Sequence, residues 1–344
     1  MAVTIKEIAA AVGVSRGTVD RVLHNRGGVK PEIAEHIRRV ADTMGYLPNR
    51  AGKILAARKQ PITVGCLIPS IGNPFYDDVI RGFYTAQEEL ADFGVTVKVK
   101  EIRGYDPGDH IRAIKELVDA GSSALCISTV DIAQVRTYVN QLIESGIPVV
   151  TVNTDLSHTK RLCYVGSDYL KGGHTAAGLL SLCARQKLNL LIVTGSLKIK
   201  GHNERIKGFS RTLRENGVQY KLVDVFESQD DDDYAYKTAL DILSKNPQIN
   251  CVFIVAAGVA GVCRAIAELG LREKQRPMWV LSFDDVESTR RLVNDGIIDF
   301  TICQEPVQQG YQAIQILFNY FVDDRRTIPQ NFLTGTVIKI KENL

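Results

Sequence analysis

The sequence predicts two unlike parts: a small all-α helix-turn-helix head, joined by a short weak helix to an α/β body of two lobes with parallel sheets. Three observations predict this. The first sixty residues carry short amphipathic helical patterns and no strand pattern. From Ile62 onward, short β-branched apolar runs alternate with helical stretches, as parallel strands linked by helices do. The length of 344 residues exceeds one ordinary domain and favours two α/β lobes over one.

The head begins with Thr4-Ile5-Lys6-Glu7, a capping box in which the Thr4 hydroxyl and the Glu7 carboxylate each satisfy a free amide of the first turn. Ile5, Ile8, Ala9 and Val12 then repeat at helical spacing, and Gly13 supplies the left-handed exit. Val14 plugs the turn and Ser15 caps a second helix running to about Leu23. Val19, Val22 and Leu23 face inward, while Arg16, Gly17, Thr18 and, one turn on, Arg21 sit on the outer side. A third helix, about 31–44, closes a small core with Ile33, Ile37, Val40, Ala41 and Met44.

In a helix-turn-helix, the start of the second helix meets base edges in the major groove, and arginine is the side chain that reads guanine bidentately. Charge agrees. Residues 1–59 hold 11 Lys/Arg against 5 Asp/Glu, and the remainder 31 against 34. A basic head on a slightly acidic body points to a polyanion partner for the head alone. Arg16 and Arg21 as solvated surface arginines, Thr18 as a packing residue and Ser15 as a cap are the plainer alternatives.

Residues 49–59, Asn-Arg-Ala-Gly-Lys-Ile-Leu-Ala-Ala-Arg-Lys, form a weak basic helix that Gly52 makes weaker still. Such a segment fits one that orders on DNA. Three stretches, TIKEIAAAVGVSRGTVDRVLHNRGGV, GYLPNRAGKILAARK and ITVGCLIPSIGNPFY, together resemble the lactose repressor (LacI/GalR) family in order and spacing. The resemblance covers essentially the whole chain. It implies a DNA-binding domain over 1–47, a hinge over 48–60 and an effector-binding domain over 61–344. DNA contacts are implied at Thr4, Ser15, Arg16, Gly17, Thr18 and Arg21, and in the hinge at Asn49, Arg50, Lys53 and Leu55. Leu55 matches the leucine that wedges into the minor groove, a known way of kinking DNA. Asp20, Lys30 and Gly52 depart from the family pattern, where serine, a capping Ser/Thr and alanine are usual. They bear on operator sequence and affinity rather than on DNA binding itself.

In the body, ITVGCLI, VTVKVK, ALCIS, IPVVTV, LLIVTG, CVFIV and MWVLSFD read as buried strands, with helices over 76–92, 109–120, 132–145 and 169–186 between them. Ligands of open α/β sheets sit beyond the carboxyl ends of strands. That rule selects Asn73-Pro74-Phe75-Tyr76, Asn153-Thr154-Asp155, Asp284-Asp285 and Gln304. Rings clamp sugar faces, and amides and carboxylates serve a polyol's donors and acceptors. The plainer roles are turn residues for Asn73 and Asn153, core for Phe75 and Tyr76, a helix cap for Asp284 and a hinge pairing for Gln304. The run Gln229–Asp233 reads as a solvated helix cap with at most one residue turned toward the cleft.

The body also resembles the ribose-binding-protein-like, type I periplasmic-binding-protein fold. This implies discontinuous lobes, one of about 61–165 with 305–333 and the other of about 166–304 with 334–344. It places Asn73, Phe75, Tyr76, Asn153, Asp284 and Gln304 on ligand-contacting positions, and Asn203 where an arginine contacts the sugar. Thr154 stands for another arginine, and Ala256-Ala257-Gly258 for an Asn-containing segment, so the ligand need not be ribose.

Hydrophobic content of 45% with 24% charged residues is that of a globular protein, and no apolar run approaches the roughly 20 residues of a membrane span. Lys6 and Glu7 interrupt any signal-like stretch, so a cytoplasmic location is expected. The seven cysteines include no C-x-x-C, and six histidines show no ligand spacing, so neither metal nor cofactor is expected. Most cysteines read as small core residues, with a redox sensor the lesser alternative. No nucleotide-binding glycine motif or nucleophile elbow accompanies the strands, which argues against an enzyme. A transport binding protein fits the body but not the head. The expectation is therefore a homodimeric regulator, a repressor by family default, on a pseudo-palindromic DNA operator, controlled by a sugar-like effector.

Overall fold

The computed structural model describes residues 3–23, 27–44, 61–69, 71–272, 278–322 and 328–344. The chain divides into two compact units, Met1–Lys59 and Gln60–Leu344.

The first unit holds α1 (Ile5–Val12), α2 (Arg16–Leu23) and α3 (Pro31–Thr43). The capping box forms: Thr4 N–H donates to Glu7 Oε2 at 2.7 Å and the Glu7 amide to Thr4 Oγ1 at 3.4 Å. Gly13 ends α1 at φ 74°, where an L side chain would be strained. Ser15 Oγ accepts the Thr18 amide at 3.1 Å and so caps α2. Lys30 gives α3 no side-chain cap, and Pro31 at the first helical position starts it instead. Ile8, Val19, Val22, Ala34, Ile37 and Ala41 make the core. Ile33, expected inside, is 37% exposed, and Ala34 one helical step on takes the inner place.

The second unit holds two six-stranded sheets. Sheet one runs β11-β5-β4-β3-β1-β2, with β1 (Ile62–Ile68), β2 (Val95–Glu101), β3 (Ala124–Ile127), β4 (Val149–Val152), β5 (Cys163–Gly166) and β11 (Asn331–Leu333), all parallel. Sheet two runs β12-β10-β9-β8-β6-β7, with β6 (Leu188–Thr194), β7 (Tyr220–Glu227), β8 (Cys251–Ile254), β9 (Trp279–Phe283), β10 (Phe300–Cys303) and an antiparallel β12 (Val337–Lys339). The inner strands are buried on both faces, as parallel strands under helices must be.

Helices α4 (Phe75–Leu90), α5 (Pro107–Asp119) and α6 (Ala133–Glu144) flank sheet one. Around sheet two lie α7 (Tyr169–Cys183), α8 (Lys200–Glu215), α9 (Asp232–Lys245), α10 (Val259–Glu268) and α11 (Glu287–Asn294). Helix α12 (Pro306–Val322) follows β10 of sheet two yet packs on α4, against sheet one. There Gly82 lies so close to α12 that a Cβ would stand 2.1 Å from the Val307 carbonyl oxygen.

The chain therefore passes between the sheets three times: after β5, after β10 and after β11. The crossings are tied at one atom, the Gln304 carbonyl oxygen, which accepts from Gln309 Nε2 at 2.7 Å and Thr334 Oγ1 at 2.9 Å. Ser167 Oγ adds a 3.1 Å contact to Thr334 Oγ1. Cys66, Cys126, Cys163, Cys251, Cys263 and Cys303 are buried and Cys183 is exposed.

Candidate DNA-binding helix and interlobe cleft

In the head, Ser15, Arg16, Gly17 and Arg21 are exposed at and along the start of α2, and Thr18 is half-buried. Thr18 also spends its hydroxyl on Ser15 Oγ at 2.8 Å, and Thr4 is exposed within the capping box. Asn49, Arg50, Lys53 and Leu55 lie outside the described residues.

Between the two lobes of the second unit, a cleft encloses about 390 Å³ of non-protein space, its mouth included. Its floor is made where strands end. Asn153 follows β4, Asp230 follows β7 and Asp284 follows β9, each in the left-handed conformation at φ 63°, 56° and 66°. Asn and Asp tolerate that conformation better than other side chains, which explains their use at these turns. Gln304 follows β10, and Asn73 precedes α4.

Asn73, Phe75, Tyr76, Asn153, Asp284 and Gln304 all line the cleft. Phe75 and Tyr76 are buried and meet edge to face at 5.4 Å. Much of the polar capacity of the amides is internal. Asn73 Oδ1 accepts the Phe75 amide at 3.2 Å, and Asn153 Oδ1 accepts Tyr76 Oη–H at 3.1 Å. Gln304 Nε2 donates to Asp284 Oδ1 at 2.8 Å, leaving Gln304 Oε1 buried and unpartnered. Burial raises the Asp284 carboxyl to about 6, against the opposing pull of the Arg205 charge.

Asn203 does not belong to this group. It is exposed, and its Nδ2 donates to the Leu197 carbonyl at 2.8 Å. The cleft residue is Arg205. An α-helix turns about 100° per residue, so His202 and Arg205, three apart, share the face of α8 that meets the cleft, and Asn203 points away. Arg205 is 3% exposed, with its guanidinium 3.7 Å from the Phe283 ring centre and 4.6 Å from that of Tyr169. It also donates to the Val255 carbonyl, while its Nε has no partner. Thr154 is buried away from the cleft lining.

Four further polar residues of the lining are not marked by the strand-end rule or by the resemblance: Tyr105, Tyr169, His202 and Asp230. Burial holds the His202 imidazole down at about 3, so it is neutral. Asp230 joins the lobes. Its Oδ2 accepts Tyr105 Oη–H at 2.5 Å and Asn73 Nδ2–H at 3.1 Å, both from the first lobe. Asp231, by contrast, is the expected cap and accepts the Tyr234 amide at 2.8 Å. Two more contacts bridge the lobes: Lys200 Nζ lies 3.5 Å from Asp155 Oδ2, and the Asp131 amide donates to the Lys198 carbonyl at 3.2 Å. These contacts tie the two lobes together across the cleft.

Comparison with known proteins agrees with both units. Residues 4–49 match the family model "Bacterial regulatory proteins, lacI family", and residues 64–323 match "Periplasmic binding protein domain". The chain is 27% identical over 323 residues to a ribose operon repressor of Lactococcus lactis, covering 93% of this chain and 91% of that one. It is 24% identical over 291 residues to catabolite control protein A of Priestia megaterium, covering 83% of each. Among solved structures, the glucose-galactose binding protein GanP of Geobacillus stearothermophilus superposes with a TM-score of 0.75 at 25% identity, over 83% of this chain and 99% of that one. A LacI-type regulator structure from Bacteroides fragilis, at 18% identity and a TM-score of 0.71, shares the fold over 83% of this chain and 98% of its own. Among the described residues no helix is long and apolar enough to cross a membrane. The chain belongs to the lacI family of bacterial regulatory proteins, DNA-binding transcription regulators rather than enzymes, with a periplasmic binding protein domain as its body.

Proposed function

We propose that this regulator is a cytoplasmic homodimer, a repressor whose grip on a pseudo-palindromic operator is set by a sugar or sugar derivative bound between its lobes. Residues 1–47 read DNA, 48–60 form the hinge, and 61–344 bind the effector, with lobes of about 61–165 with 305–333 and 166–304 with 334–344. Arg16 and Arg21 approach base edges from α2, while Thr4, Ser15, Gly17 and Thr18 position the head. Asn49, Arg50, Lys53 and Leu55 extend the grip into the adjacent minor groove. A two-fold dimer matches a two-fold operator.

The observation that carries this reading is the cleft itself. Aromatic faces of Phe75 and Tyr76 lie beside the carboxylates of Asp230 and Asp284 and the amide of Gln304, on a chain whose head is of the lacI type. Rings that pack on a sugar's apolar face, with acceptors for its hydroxyls, suit a polyol. The similar proteins named for ribose, and for glucose and galactose, favour the same class. Ligand acts by changing how the lobes and the subunits meet, and so whether the hinge segments can fold on DNA. A coupling of about 1–3 kcal/mol would change operator affinity about 5–150-fold.

The test is a thermal-shift screen of pentoses and hexoses against the full chain, followed by operator binding with and without any stabilising sugar. A ligand of the folded state raises the melting midpoint by mass action. A sugar that raises the midpoint and shifts operator affinity supports the reading; stabilisation with unchanged DNA affinity refutes the control step.

A further inference from the structure

We infer that Asp230 sets the charge class of the ligand: with Asp284 it makes the cleft a receptor for an uncharged polyol and a barrier to phosphorylated or carboxylated forms of the same sugar. The inference rests on the sugar-cleft reading above and deepens it.

Among the described residues, the charged groups lining the cleft are two carboxylates, Asp230 and Asp284, and one guanidinium, Arg205. No lysine is among them, and His202 is neutral. The Arg205 cation is partly engaged, buried against Phe283 and donating to the Val255 carbonyl, with its Nε open, and it offsets only one of the two carboxylates. A phosphate ester would therefore bring about −1.5 to −2 charge into a cleft whose own balance is negative.

Helix N-termini usually welcome such an anion through their free amides. Here three helix starts each spend one such amide on the protein's own side chains, while α8 has no side-chain cap. The Phe75 amide at the start of α4 donates to Asn73 Oδ1. At the start of α9 the Tyr234 amide donates to Asp231 Oδ1, and at α10 the Gly261 amide donates to Asp232 Oδ1 at 3.0 Å.

Among the fully buried lining atoms without a partner, two are acceptors, Asp230 Oδ1 and Gln304 Oε1, and one is a donor, Arg205 Nε. Hydroxyl groups donate to such oxygens; a phosphate or carboxylate group brings only further acceptors at neutral pH. Asp230 is also the residue that Asn73 and Tyr105 grip from the other lobe. Charge discrimination and lobe closure thus meet on one side chain.

The experiment is isothermal titration of the full chain, wild type, Asp230→Asn and Asp284→Asn, with D-ribose, D-glucose, D-galactose, D-ribose 5-phosphate, D-glucose 6-phosphate and D-gluconate. The expected result is a parent sugar binding at least a hundredfold tighter than its phosphate ester. In Asp230→Asn that ratio narrows tenfold or more, because one of the two negative charges is gone. Asp284→Asn narrows it too, which keeps the inference testable should Asp230→Asn fail to fold. A phosphate ester or gluconate binding as tightly as its parent, or ratios unchanged in both variants, overturns the inference and leaves the sugar cleft standing. No binding by any probe removes the sugar-cleft reading, and the inference with it.

Discussion

Asp284 makes a stability cost measurable. Its carboxyl sits at about 6 in the folded protein, above the roughly 3.9 of a free aspartate, because burial penalises the charged form more than Arg205 and Gln304 relieve it. A raised carboxyl binds its proton more tightly when folded, so its favourable contribution is complete below the unfolded value and is lost as pH rises through 6. Keeping this side chain ionised in the folded protein costs about 3 kcal/mol at pH 7.5, an upper value since Asp284 keeps a partly exposed edge. Asp284→Asn removes the charge, keeps an oxygen for Gln304 Nε2, and suits the φ of 66°.

The variant is therefore expected to be more stable than wild type by up to about 3 kcal/mol at pH 7.5, about 1.5 at pH 5 and about 0.5 at pH 4. At roughly 2 °C per kcal/mol, the melting midpoint rises by about 4–6 °C at pH 7.5. The assay is thermal melting followed by circular dichroism at the three pH values, with sugar titration alongside, where the lost charge weakens binding at least tenfold. An Asp284→Asn midpoint equal to or below wild type at pH 7.5, or a difference that does not shrink on acidification, refutes the reasoning. So would a stabilised variant with intact sugar affinity, since the cost would then serve no ligand.

Arg16→Ala should cost about 1–3 kcal/mol at one operator base and leave preference elsewhere intact, read by binding to a set of singly substituted duplexes; equal weakening on every duplex would make Arg16 a phosphate contact. Gly173→Ala on α7 would place a Cβ 2.1 Å from the Arg205 carbonyl oxygen, so it should lower both the melting midpoint and sugar affinity by forcing α8 and its cleft arginine outward. Gly178→Ala on the same helix meets nothing within 4 Å and should raise the midpoint, by about 0.5–1 kcal/mol in stability. Tyr105→Phe removes the hydrogen bond to Asp230 while keeping the ring, and X-ray scattering of the full chain should show more open lobes; an unchanged profile would leave closure to Lys200–Asp155 and the Asp131 amide.

The elements legible in the sequence are those whose pattern follows from burial. The capping box at Thr4, Gly13 in its left-handed exit and the apolar face of α1 need only local spacing, and they form as read. So do β1, β3, β4 and β8, whose continuous apolar runs announce strands buried on both faces. β7 is an edge strand with every residue of Tyr220–Glu227 exposed or half-buried, so it carries no apolar pattern strong enough to read.

The cleft divides the same way, by whether a residue's direction is fixed by its strand or by something distant. Asn153, Asp284 and Gln304 follow strands, and a strand's carboxyl end faces the cleft whatever else the chain does. Arg205 needs the phase of α8, and a shift of two residues along a helix reverses inside and outside; that is why Asn203 faces out while Arg205 lines the cleft. Asp230 is harder still. Four consecutive aspartates are chemically alike, and what separates Asp230 from the capping Asp231 is a left-handed turn at Gln229-Asp230 and two donors, Asn73 and Tyr105, more than a hundred residues away on the other lobe. No local pattern encodes that choice, because the partners that select Asp230 meet it only once both sheets have formed and the lobes have closed.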